Sequence, residues 1–177
     1  MVLAGPLSHS ATLQGAVIGR CGKLEEASAL LEADPVVKSL HLRAVFQTWR
    51  GPNGLGEPPV GDLKSNSAAK STLVTLPFIL LRRTEKGQRD PSLKTMRNEQ
   101  EFLGKLRRRN QLRMDGAFLG QPDHPYQGAE PGALLVFAAM PLKDAIDIVK
   151  HHPLVKQGYA TIDALEWQVA DEAVPLP

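Results

Sequence analysis

The 177-residue chain has one cysteine, Cys21, so it can form no internal disulfide and offers no second thiolate for a metal cage. It has no long hydrophobic run either. The longest, Leu73–Leu81 with Thr75 and Pro77 inside it, is nine residues against the roughly 20 that a membrane helix needs, and it reads as a buried strand. Charge of one sign is not in surplus: 21 Lys and Arg stand against 19 Asp and Glu, a net +2 with a pI near 8.8. That balance does not suit a surface built to hold a phosphate backbone, so no nucleic acid partner is expected. The opening Met1-Val2-Leu3-Ala4-Gly5-Pro6 lacks a basic n-region and a long apolar h-region, and it is not Arg- and Ser-rich. Gly51 to Gly56 lacks the Lys-Ser/Thr end of a phosphate loop, and neither Gly-x-Ser-x-Gly nor His-Glu-x-x-His occurs. The expectation is a soluble intracellular protein of cytoplasm or organelle lumen, without metal or cofactor.

Hydrophobic residues make up 42% and charged residues 23%, the balance of an ordinary globular chain one domain or two small domains long. The chain repeats itself. Lys23 to Trp49 lies over Pro141 to Trp167 without a gap, matching Leu24/Leu142, Ala27/Ala145, Pro35/Pro153, Val37/Val155, Lys38/Lys156 and Trp49/Trp167. Glu26/Asp144, Leu30/Ile148 and Leu31/Val149 are conservative pairs in the same frame.

Leu142, Ala145, Ile146 and Val149 fall at i, i+3, i+4 and i+7, the stripe of an amphipathic helix, and Leu24, Ala27, Leu30 and Leu31 draw the same stripe. Pro35 and Pro153 close these helices, and Leu42 to Trp49 and Ala160 to Val169 then read as strands. Two apolar segments precede each helix, so each copy contains β-β-α-β. The second copy has more in front: a strand over Ser71 to Leu81, with Pro77 marking an edge or bulge, then Asp90-Pro91-Ser92 capping a helix over Leu93 to Arg109. It is therefore β-α-β-β-α-β, the split βαβ arrangement. Gly51 to Ser67, with four Gly and three Pro in 17 residues, is a linker composition. The expected organisation is a partial unit at 1–50, a linker at 51–69, a complete unit at 70–172 and a tail at 173–177.

Leu3-Ala4-Gly5-Pro6-Leu7, Gly15-Ala16-Val17-Ile18, Leu24-Glu25-Glu26-Ala27, Ala33-Asp34-Pro35-Val36-Val37-Lys38 and Trp49 resemble the C-terminal two-thirds of a YCII-related domain. The likeness covers residues 2–50 and returns over 71–170. It implies an α+β fold in which ferredoxin-like split βαβ sheets pack face to face, as in the dimeric α/β barrels, around a small-molecule pocket. Relatives of that superfamily include muconolactone isomerases and a chlorohydroxyquinol dehydrochlorinase. The resemblance further implies a His on the first helix and an Asp before the proline that ends the second.

Asp34 stands at that Asp, whereas the second copy has His152 there and Gln100 or Glu101, in Arg97-Asn98-Glu99-Gln100-Glu101, where the His would be. Asp34, His152, Gln100 and Arg97 are thus the candidate acid–base and orienting residues, because a carboxylate beside an imidazole sets its orientation and raises its pKa. Gly5, Pro6, His9 and His124 lie in segments that the resemblance places at a barrel mouth, and they are the candidate ligand-binding residues. Plainer readings stand beside these: His151-His152 as favourable charge at a helix end, Arg107-Arg108-Arg109 with Arg82-Arg83 and Arg113 as a solvated basic face, and the two tryptophans as core.

Two functions are expected on these grounds. One is a barrel that binds a small aromatic or lactone-type molecule, with cofactor-independent lyase or isomerase chemistry. The other is a non-catalytic structural or assembly subunit. Three strands plus four make seven, so an open edge and an uncovered apolar face are expected. A homo-oligomer or larger assembly would cover them, or else the natural chain begins upstream of Met1.

Overall fold

A computed structural model describes residues 2–10, 12–19, 23–39, 42–51, 72–120 and 129–170. Residues 52–69 of the expected linker, His124 and the tail lie outside these residues. The described chain is α+β and contains β1 (Val2–Ser8), β2 (Gly15–Gly19), α1 (Leu24–Ala33), α2 (Pro35–Ser39) and β3 (Thr48–Arg50). Then follow β4 (Leu73–Arg83), α3 (Leu93–Arg108), β5 (Leu112–Leu119), β6 (Pro131–Phe137), α4 (Leu142–Val149), α5 (Pro153–Lys156) and β7 (Ala160–Ala170).

One seven-stranded antiparallel sheet holds all the strands, in the order β2-β1-β7-β4-β6-β5-β3. Strands from both sides of the expected linker share it. The strands β4 to β7 occupy the middle, β1 and β2 extend the β7 side, and β3 extends the β5 side. Pro77, expected at an edge or bulge, is instead in the central strand β4. It faces Glu166 of β7, and the ladder to β6 begins only at Phe78, so the residue that cannot donate stands just outside the second ladder.

Alternation along the strands divides the apolar side chains between two faces. Leu76, Phe78 and Leu80 of β4 join Met114, Leu134, Val136, Leu165, Trp167 and Val169 in one cluster, to which β1 adds Leu3 and Leu7, β2 adds Ala16 and Ile18, and β3 adds Trp49. Among the described residues no helix belongs to this cluster, which lies on one face of the curled sheet. The other face sets Ile79 and Leu81 of β4 in one cluster with Leu106 of α3, Ala145 and Val149 of α4, and Leu154 and Val155 of α5.

The helices form where the local chemistry favours them. Ser92 caps α3, its Oγ accepting the Thr95 N–H at 3.2 Å, and Thr95 then donates to Gln157 Oε1 at 2.8 Å, tying α3 to the end of α5. Basic side chains at Lys105, Arg107 and Arg108 fill the last turn of α3, where they suit the helix dipole. The strand expected over Leu42 to Trp49 is shorter than its counterpart: only Thr48–Arg50 joins the sheet, and 42–47 is neither helix nor strand. Its counterpart β7 is 11 residues long because β4 pairs with it along its whole length.

Candidate functional site

Of the candidate residues, His152 has the most unusual surroundings. It ends the α4 segment and begins α5, with Pro153 in the first helical position, and its Nδ1 accepts the Leu154 N–H at 3.3 Å. The side chain is fully buried (0%), whereas His151 beside it is exposed. Phe102 of α3 meets the imidazole edge-on, with ring centroids 5.2 Å apart. Burial holds the His152 pKa down from 6.5 to about 4. The ring is therefore neutral near pH 7, and favourable charge at a helix end, the plain reading of this position, does not describe it.

A neutral imidazole that accepts at Nδ1 carries its proton on Nε2. That nitrogen is buried and has no hydrogen-bond partner among the described residues, and Glu99 Oε1 lies 3.6 Å from it. Glu99 is largely buried on α3, and desolvation followed by the charge of Asp115 pushes its pKa above the usual carboxylate value. Asp115, on β5, is held in turn by a two-pronged contact from Arg107, Nε to Oδ1 at 2.9 Å and Nη2 to Oδ2 at 2.5 Å. A neutral His and a Glu whose pKa is raised thus face each other beside a fixed carboxylate–guanidinium pair. A proton can be held between Nε2 and Oε1 if the gap closes by a few tenths of an ångström.

Glu99 was not among the expected site residues. Residues 97 to 101 all belong to α3, and Arg97 and Gln100 are exposed while Glu99 is not. The signal that could have found it is periodic: Thr95, Glu99, Phe102 and Leu106 fall at i, i+4, i+7 and i+11, one stripe of the helix, and the sheet lies under that stripe.

The remaining candidates do not gather around His152. Asp34 caps the C-terminus of α1, its N–H donating to Leu31 O at 3.1 Å and its carbonyl accepting from Lys38 at 3.1 Å, and it is half-buried. His9 is exposed in a left-handed conformation (φ 66°), and its Nε2 lies 3.2 Å from Glu166 Oε2. Gly5 and Pro6 belong to β1, where the Gly5 carbonyl accepts from the Trp167 indole at 3.2 Å. Arg82 pairs with Asp163 through contacts of 2.6 and 2.7 Å, so that part of the basic series serves the β4–β7 ladder.

A shallow cleft of about 220 Å³ opens between α1, α2 and the segment before β3, lined by Ser28, Glu32, Val37, Leu42, Arg43, Ala44 and Phe46. Among the described residues no group of three His, Cys, Asp or Glu could hold a metal ion, and no helix is long and apolar enough to cross a membrane. Comparison with family models, with curated proteins and with solved structures gives no match for this chain.

Proposed function

We propose that the chain is a non-catalytic structural or assembly subunit, built from a complete and a partial YCII-like unit whose ferredoxin-like sheets join as in a dimeric α/β barrel. The pairing of the strands supports the repeat. β1 meets β7 with Leu7 opposite Trp167 and Ser8 opposite Glu166, and β5 meets β3 with Phe118 opposite Trp49 and Leu119 opposite Thr48. A shift of 118 residues carries Trp49 and Thr48 onto Trp167 and Glu166, and a shift of 111 carries Leu7 and Ser8 onto Phe118 and Leu119. The same contact is thus made twice in the same register. The order β7-β4-β6-β5 is also the order that a split βαβ unit produces.

The observation that carries the assembly reading is a difference in burial at equivalent positions. Ala145 and Val149 of α4 are fully buried (0%), whereas Ala27 and Leu31 of α1 are only half-buried. Trp167 is likewise fully buried and Trp49 half-buried. The second unit is closed by its own β4 and α3, and the first has no counterpart of either among the described residues. A fold whose described residues leave one helix and two sheet edges uncovered is suited to association.

Light scattering after gel filtration tests this. The expected result is a mass above 19.3 kDa that rises with concentration, together with strong binding of a hydrophobic dye. A monodisperse 19.3 kDa monomer with little dye binding overturns it.

The buried Nε2 of His152, near Glu99 and without a hydrogen-bond partner among the described residues, favours a second reading, acid–base chemistry on a small aromatic or lactone-type ligand. On that reading, stabilisation by such compounds is lost in His152→Gln, and Asp34→Asn reports whether the first unit takes part. Compounds that leave the melting temperature of the unaltered chain unchanged remove it.

A further inference from the structure

We infer that the first half of the chain holds a docking site for a β-strand followed by an amphipathic helix, and that its occupant spans the edges of β2 and β3 and covers α1. The inference rests on the repeat proposed above and adds the kind of partner.

The outer strands β2 and β3 each have a single neighbour, β1 and β5, among the described residues. Under the repeat, β2 and β3 are the counterparts of β6 and β7, and between β6 and β7 lies β4. The place equivalent to β4 is therefore the space that adjoins β2 on one side and β3 on the other. The segment 42–47 corresponds to 160–165, which is strand in the second unit because β4 pairs with it, and it is not strand in the first.

The cleft supplies an independent observation. Ser28, Val37, Leu42, Ala44 and Phe46 line it, and a shift of 118 residues carries them onto Ile146, Val155, Ala160, Ile162 and Ala164. All five of those belong to the apolar cluster that contains Ile79 and Leu81 of β4 and Phe102, Leu103 and Leu106 of α3. The cleft thus opens where the second unit is filled by its own strand and helix.

The occupant can be described by its chemistry. It carries a strand with apolar residues on both faces, as central strands do and as Leu76, Phe78 and Leu80 against Ile79 and Leu81 do in β4. Main-chain hydrogen bonds to β2 and β3 supply affinity, its strand lies against Ala27 and Leu31 of α1 as β4 lies against α4, and its helix settles beside α2 as α3 does beside α5. Its polar face meets Glu32 and Arg43 at the rim of the cleft. A second copy of the chain has no spare unit of this kind, since its own β4 and α3 are already built into its sheet. Gly51 to Ser67, with four Gly and three Pro, has the composition of neither element.

The test uses the full chain and, as the probe, a peptide of its own residues 72–109, the unit that fills the equivalent place in the second half. Hydrogen exchange is read at 42–47 and at those amides of 15–19 and 48–50 that point away from β1 and β5. In the chain alone, at concentrations where it is monomeric, these amides exchange fast while 160–165 exchange slowly. The peptide slows them by about tenfold or more, and a scrambled peptide of the same composition does not. The inference is overturned if neither peptide slows exchange, or if both do so equally. If the amides are slow only at high concentration, with mass rising in step, a second copy is the occupant: the inference fails and the assembly reading stands. If they are already slow in the monomer, and dye binding is weak, both fail.

Discussion

Trp167 donates from its indole Nε1 to the carbonyl of Gly5 at 3.2 Å, and this is possible because Gly5 has no side chain. A Cβ on Gly5 would stand 1.8 Å from the Gln168 carbonyl oxygen. Gly116 lies as close to the strand of Trp49, though without that hydrogen bond: its Cβ would lie 2.0 Å from the Arg50 oxygen and 2.8 Å from the Trp49 Nε1. In both places two strands approach too closely for any side chain. Gly5→Ala and Gly116→Ala should each cost about 2–3 kcal/mol, since backbone rather than a mobile side chain is struck. Thermal melts should show roughly 4–12 °C lost in each. Gly104→Ala, on α3 with only the end of Arg108 nearby, should change stability in the opposite direction by about 0.5–1 kcal/mol.

Helix positions that the 118-residue frame aligns should respond unequally to truncation. Val149→Ala removes two methyl groups from a fully buried site on α4 and should cost about 2 kcal/mol. Leu31→Ala removes more from the matching site on α1, yet that site is half-buried, so the cost should stay below about 1 kcal/mol. Urea unfolding of the two variants at low protein concentration checks this. Equal losses would mean that α1 is covered as well as α4.

Arg107 and Asp115 make a prediction about an asymmetric pair. Asp115 is 8% exposed at its side chain, and Arg107 is 55% exposed. Truncating the arginine leaves a buried carboxylate without its guanidinium, which should cost about 2 kcal/mol in Arg107→Ala. Asp115→Asn leaves an exposed arginine that water can serve, and it should cost less. It should also lower the Glu99 pKa, since the Asp115 charge is one of the two causes that raise it. A titration of Glu99 by NMR in both backgrounds reads the second effect.

Much of the architecture could be read before any coordinates. The i, i+3, i+4, i+7 stripe places α4, and Asp90-Pro91-Ser92 announces α3. The misreadings have physical causes. Pro77 suggests an edge because a proline cannot donate, but whether a second ladder reaches that residue depends on where β6 starts, a tertiary matter. Leu42 to Phe46 has the composition of a strand, and composition does not tell whether a neighbour is present to pair with it. The resemblance puts the partner of residue 152 at 100 or 101, whereas Glu99 lies about 100° or 200° away round the helix, on the buried side. The burial of His152 follows from Phe102 and the sheet beneath, which no local pattern reveals.

The last prediction concerns pH. The unfolded chain holds His152 at its ordinary pKa near 6.5, and the native chain holds it at about 4 because burial penalises the cation. Between those values the unfolded state binds a proton that the native state does not, so stability is fully present above about 6.5 and falls as the pH is lowered toward 4. The difference of about 2.5 units corresponds to about 3 kcal/mol by 1.36 kcal/mol per unit. Glu99 acts in the opposite sense. Its raised pKa means that the native state keeps a proton that the unfolded state has released above 4.5, so its contribution grows as the pH falls. His152→Gln should flatten the loss between pH 6.5 and 4, and Glu99→Gln should steepen it by removing the compensating carboxyl. Denaturant unfolding at pH 7, 6, 5 and 4.5 decides the matter, and three parallel stability curves would show that neither group titrates in its buried place.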